Sequence, residues 1–128
     1  MPGHTPGSCC PLIREERAIL FGDACNLFTM VDFDYSTNIS TYKENLLKLK
    51  TYEDRYDTIY LSHGGPTVDK ILLDNNIALC DRILAGSDDK IAFRSLAGGQ
   101  SYIAEGHSIM THPDGKIGNI VYSDSKRY

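Results

Sequence analysis

The stretch Ala18-Ile19-Leu20-Phe21-Gly22-Asp23 (AILFGD) decides how the rest of the chain is read. Four apolar residues in a row are stopped by Gly and Asp. A continuous apolar run of this length predicts a strand buried on both faces. The charged tetrad Arg14-Glu15-Glu16-Arg17 precedes it, and the short apolar run Cys9 to Ile13 precedes that. Two apolar runs separated by charged residues predict a β-hairpin. The strand therefore ends in a tight turn that carries a carboxylate.

A second strand ends in a similar way. Thr58-Ile59-Tyr60-Leu61 runs into Ser62-His63-Gly64-Gly65-Pro66. Between the two strands, residues 24–39 read as a long irregular loop with Phe28, Met30, Phe33 and Tyr35, of the kind that usually has a functional role. A helix is expected near Thr41. Thr41-Tyr42-Lys43-Glu44 matches a capping box, in which hydroxyl and carboxylate each satisfy a backbone N–H. Tyr42, Leu46, Leu49 and Tyr52 recur at helical spacing. A second helix is expected from Thr67 as N-cap, with Val68, Ile71, Leu72, Leu79 and Ile83 on its apolar face. Asp74-Asn75-Asn76 are poor helix formers, expected to kink or split it. Gly86 is a plausible stop. Short runs follow at Ile91 to Leu96, Ser101 to Glu105, His107 to Thr111 and Lys116 to Tyr122. Pro113-Asp114-Gly115 is a turn signal, since Pro sets φ and Gly accepts a positive one. Strands separated by helices, then short strands, make an α/β chain.

The bulk composition narrows the function classes. At 128 residues one domain is expected. The net charge of -4 argues against nucleic-acid or anionic-membrane partners, which require clustered Lys and Arg. No apolar run approaches the roughly 20 residues that span a bilayer. No basic segment followed by an apolar one opens the chain, so a cytoplasmic protein is expected. Cys9, Cys10, Cys25 and Cys80 are then expected to be reduced thiols, and no C-x-x-C pair is present. One of the adjacent Cys9 and Cys10 is expected to face the core from a strand. Cys25 reads first as a small buried residue, ahead of a ligand or a nucleophile.

Three residues share one context. Asp23 and His63 follow strands, and His4 lies in the Gly/Pro loop Gly3-His4-Thr5-Pro6-Gly7-Ser8 before the first strand. Ligands of α/β sheets bind outside the carboxyl ends of strands. Two imidazoles and a carboxylate form a plausible set for zinc or a similar divalent metal. His107 and His112 read as surface residues, and Gly98-Gly99-Gln100 as a turn. Phe28, Phe33 and Tyr35 either line a substrate pocket or form the underside of an Ω-like loop.

"GHTPGS", then "ILFGDA", then "YLSHGGP", over residues 2–66, resembles the second half of the metallo-β-lactamase-fold hydrolases, the superfamily that includes glyoxalase II type enzymes. The resemblance implies the C-terminal half of an αββα sandwich: a mixed sheet, two main helices and closing antiparallel strands. It implies that His4 is a ligand of the first metal, that Asp23 bridges two metals and that His63 is a ligand of the second. In that family a metal-bound hydroxide attacks an ester, thioester or related bond of a small-molecule substrate, and Asp23 would be the catalytic carboxylate that places it. The family's HxHxDH motif occurs nowhere in these residues. Residues 1–128 are therefore expected to form a single partial domain that lacks the N-terminal half. Such a half-site would also lack the partners that orient its ligands, so its metal binding is expected to be weak or partial. His4, close to the first residue, is expected to be poorly ordered. A sheet face bared by the missing half predicts a homodimer or pairing with a separate N-terminal half. The alternative is a catalytically inactive, oligomerising module with at most weak metal binding; a third reading is a structural metal-binding domain.

Overall fold

Pairing of the strand at residues 18–22 with the strand at 58–61 organises the molecule. In the computed structural model, which describes residues 1–62, 67–94, 99–106 and 117–128, these two strands run parallel. Ala18 stands opposite Thr58, Ile19 opposite Ile59 and Leu20 opposite Tyr60. Alternation across the pleat sends Ile19, Phe21 and Ile59 into the core. Leu20 and Tyr60 point the other way and are 37% and 40% exposed. The first strand is thus not buried on both faces, despite its unbroken apolar run.

Numbered along the chain, the strands of this first sheet are β1 (Leu12–Ile13), β2 (Ala18–Gly22), β4 (Thr58–Leu61) and β5 (Thr67–Val68), in the order β1-β2-β4-β5. The hairpin β1–β2 forms as expected, with a 3-10 turn at Arg14–Glu16 between its strands. Its first strand is shorter than the apolar run, and Cys9 lies exposed outside it. Cys10 packs partly buried against the core.

A second sheet follows the order β3-β8-β7-β6, from β3 (Thr29–Val31), β6 (Ile91–Arg94), β7 (Gln100–Ile103) and β8 (Ile120–Tyr122). β3 lies within residues 24–39, which are therefore not an irregular loop throughout. It runs parallel to β8, with Thr29 opposite Ile120 and Val31 opposite Tyr122. β6–β7 and β7–β8 are antiparallel, so the closing antiparallel strands are present. The chain is an α/β protein with two helices and two mixed four-stranded sheets among the described residues. The runs at 107–111 and 113–115 lie outside those residues, as do His63, His107, His112 and Gly98.

Helix α1 (Ile39–Lys50) starts before the expected capping box. Asn38 is extended, and its Oδ1 accepts the Thr41 N–H at 3.0 Å. Asn is at least as good a cap as Thr, and Thr41 becomes an interior residue. The buried face holds Ile39, Tyr42, Leu46 and Leu49. Tyr52 lies past the helix end and is exposed. Helix α2 (Ile71–Ala85) does not begin at Thr67, because Thr67 and Val68 pair with β4. The Asp69 carboxylate accepts the Ile71 N–H at 2.9 Å instead. Ile71 itself is exposed. Gly86, at φ +73°, closes the helix as expected.

Asp74-Asn75-Asn76 do not split α2, which runs unbroken from Ile71 to Ala85. The two Asn carboxamides find partners outside the helix. Asn75 Nδ2 donates to the Ile117 carbonyl at 2.9 Å, and Asn76 Nδ2 reaches the Asn26 carbonyl at 3.3 Å. Side chains that bond outward do not compete with the helix backbone. Both helices contribute to one core with both sheets. Among the described residues no helix is long and apolar enough to cross a membrane.

Candidate metal-binding cleft

Gly22 ends β2 at φ +55°, a left-handed conformation suited to glycine. The Ala24 N–H then bonds back to the Phe21 carbonyl at 3.0 Å, and Asp23 sits at the apex of that turn. Asp23 lines a cleft of about 210 Å3 together with His4, Asn26, Phe28, Met30 and Phe33. Two of the three expected ligands, His4 and Asp23, are thus brought to one concavity beside the carboxyl end of β2. The third, His63, lies outside the described residues. A Cβ on Gly22 would stand 3.5 Å from Ser62 Oγ, so the residue after β4 abuts the same turn. Among the described residues, no three His, Cys, Asp or Glu side chains come together as a group able to hold a metal ion.

His4 is tied rather than loose. Its Nδ1 lies 2.6 Å from the Met30 carbonyl. A carbonyl only accepts, so Nδ1 carries the proton, and in the neutral ring Nε2 keeps the lone pair. Histidine ligands are commonly oriented by such a bond from the other ring nitrogen. This departs from the expected half-site without orienting partners. The ring also meets Phe33 edge-on, with centroids 5.6 Å apart. Ser36 Oγ donates to the His4 carbonyl at 2.7 Å, and the Thr37 N–H donates to the Gly3 carbonyl at 2.9 Å. Gly3 is required by close approach: a Cβ there would lie 2.3 Å from the buried Tyr42 ring. Thr5 and Ser8 brace the loop, with the Thr5 N–H donating to Ser8 Oγ at 3.2 Å.

Asn26 shapes the floor and was not singled out in the sequence. Its Oδ1 accepts the Phe28 N–H at 2.7 Å, and its own N–H donates to Thr29 Oγ1 at 2.9 Å. Asn followed two residues later by a bonded N–H is an Asx-turn, a signal available in Asn26-Leu27-Phe28. The aromatic residues divide. Phe28 and Phe33 line the cleft, whereas Tyr35 stacks on the outside of Phe33 at 5.1 Å and 6°.

Cys25 proves to be a structural residue. It is fully buried, its Sγ accepts the Asn76 carboxamide at 3.2 Å, and burial pushes its thiol up to about 12. A thiol held protonated is a poor nucleophile and a poor ligand. Burial likewise raises Cys80, and raises Cys10 to about 11. All four cysteines are free thiols. A larger cavity of about 320 Å3 lies between α1 and the hairpin, bounded by Met1, Cys10, Leu12, Ile19, Leu49 and Tyr52. Among the described residues no His, Asp or Glu lines it.

The chain matches no protein-family model and no curated protein sequence.

Proposed function

We propose that this chain is a metal-dependent hydrolase of the metallo-β-lactamase superfamily, with His4, Asp23 and His63 supplying part of a binuclear, zinc-type site. One observation carries the reading. An imidazole whose Nδ1 is engaged by a carbonyl shares a small cleft with a carboxylate at the end of a β-strand. Neutral imidazole and carboxylate suit zinc or a similar divalent ion. His4 and Asp23 would hold the metal, with His63 joining from the end of β4. Such a metal, when bound, lowers the pKa of water and polarises the scissile group. Phe28, Met30 and Phe33 would seat an apolar part of a small ester or thioester and exclude solvent from it. Asp23 would orient the attacking water. With no Lys or Arg among the described residues that line the cleft, a nucleic-acid substrate is disfavoured.

Zinc titration by calorimetry tests this directly. The wild-type chain is expected to bind zinc weakly, and His4→Ala, Asp23→Asn and His63→Ala are each expected to reduce that binding at least tenfold. Zinc binding that survives all three substitutions unchanged, or no binding at all, refutes the site. Hydrolysis of a thioester by the zinc-loaded chain, abolished by Asp23→Asn, would separate an enzyme from a structural metal domain.

A second observation favours the oligomerising module. Leu20 and Tyr60 lie side by side on the outer face of the first sheet, both over a third exposed. That face would meet a second copy or a separate N-terminal half, and an environment of reduced thiols such as the cytoplasm would suit the four free cysteines. Light scattering is expected to show a dimer that Tyr60→Lys converts to a monomer. A monomeric wild type at high concentration rules out self-association.

A further inference from the structure

The turn at residues 33–36 joins the two ends of the chain. On one side it grips the His4 loop, through Ser36 Oγ to the His4 carbonyl and the neighbouring Thr37 N–H to the Gly3 carbonyl. It also carries Phe33, which both walls the cleft and meets the His4 ring. On the other side its carbonyls face Lys126. The Lys126 ammonium donates to the Asp34 carbonyl at 2.8 Å and to the Ser36 carbonyl at 2.7 Å. The Phe33 carbonyl accepts the Ser36 N–H at 2.9 Å. One cation therefore spans the turn with two charge-assisted bonds, which are shorter and stronger than neutral ones.

Lys126 is itself well placed. It ends the 3-10 turn Asp124–Lys126 that follows β8, and its N–H bonds the Ser123 carbonyl at 2.9 Å. β8 pairs with β3, placing Met30 opposite Val121, and Met30 supplies the carbonyl that takes His4 Nδ1. Both ends of His4 thus depend on the same C-terminal segment. Its ring is held through the β3–β8 pairing, and its backbone is held through Ser36 and Lys126.

We infer that Lys126 is a positioning residue for His4: a latch that fixes the turn at 33–36, and with it the orientation of the imidazole and the Phe33 wall. Its consequence for metal affinity rests on the hydrolase reading above; its consequence for the His4 ring does not.

The test uses the full chain, first without metal. In wild type the His4 Nδ1–H proton is expected to give a protected NMR signal, and the Ser36 and Thr37 amides to exchange slowly. Lys126→Ala is expected to lose the Nδ1–H signal and speed exchange at both amides at least tenfold. Amides of α2 such as Leu79 and Ile83 should be unchanged, which separates a local release from loss of folding. Lys126→Arg, which can still donate to two carbonyls, is expected to restore protection. An unchanged His4 signal and unchanged amides in Lys126→Ala overturn the inference. Zinc titration follows: Lys126→Ala is expected to weaken binding about tenfold, the effect of removing an outer partner of a ligand. Looser amides with unaltered zinc affinity would reduce Lys126 to a structural tie and overturn its role at the site. If wild type binds no zinc, the hydrolase reading fails, while the metal-free spectra still decide whether Lys126 orients His4.

Discussion

Asp23 and Cys25 stand two residues apart just after β2, yet they belong to opposite environments. Asp23 lines an open cleft with His4. Cys25 lies fully buried against Asn76, in a core that also holds Tyr42 and Cys80. The potentially reactive thiol is sealed and held protonated, whereas the carboxylate meets solvent. The cavity beside α1 and the cleft at Asp23 make the same point. The larger one is bounded mainly by apolar side chains, and the smaller holds the imidazole and the carboxylate. An imidazole beside a carboxylate, which the open 460 Å3 groove of Lys50, Glu53, Asp54 and Lys70 lacks, marks the candidate site.

If this division is real, substitutions on the dry side change stability, and those on the wet side change ligand binding. The largest effect on folding is expected from Phe21→Ala on β2. Phe21 is fully buried and meets the Tyr56 ring edge-on at 6.2 Å. Its truncation should lower the unfolding free energy by about 3–5 kcal/mol in a denaturant titration. Tyr42→Phe should cost less, about 1–3 kcal/mol, by removing the 2.8 Å bond from its hydroxyl to the buried Ala24 carbonyl. Alkaline pH probes the same region. Free thiols ionise near 9.0, but folded Cys10 and Cys25 titrate at about 11 and about 12, chiefly because burial disfavours the thiolate. The folded values are raised, so stability is full below pH 9.0. Above it stability falls, by roughly 1 kcal/mol per pH unit for each thiol until its folded value is passed. Denaturation midpoints at pH 8, 9 and 10 measure this, and a flat profile would mean that these thiols are not sealed. The smallest effect on stability is expected from His4→Ala, within about 1 kcal/mol as for a partly exposed residue outside the core. The same variant should lose zinc binding. A His4→Ala protein that unfolds instead would erase the distinction between the two regions.

The strongest features of the fold were legible because they were local. β2 and β4 announce themselves as apolar runs closed by Gly or Ser turns. Asp23 could be placed from its own neighbours. β3 was not visible, because three residues, Thr29-Met30-Val31, become a strand only by pairing with residues 120–122. β5 is two residues long and had no periodicity to show. Asn38 and Thr41 stand three apart and both are capping types, so the start expected at Thr41 fell three residues late. The unbroken path of α2 through Asp74-Asn75-Asn76 depends on distant acceptors at Asn26 and Ile117. At the site, His4 and Asp23 were legible as candidates. The support of the His4 loop from Met30, Ser36 and Lys126 was not, because these contacts join residues far apart in sequence.

The parallel pairing of β3 with β8 also sets an order of events during synthesis. Among the described residues β3 pairs in the second sheet with β8 alone, so that pairing waits until residues 120–122 have emerged. Closing so long a loop is among the slower steps available to a chain of this size. The β1–β2–β4 ribbon and α1 can assemble earlier from nearby segments. The Met30 carbonyl is fixed beneath His4 only when the last strand docks, so the cleft matures after the core, near the end of folding.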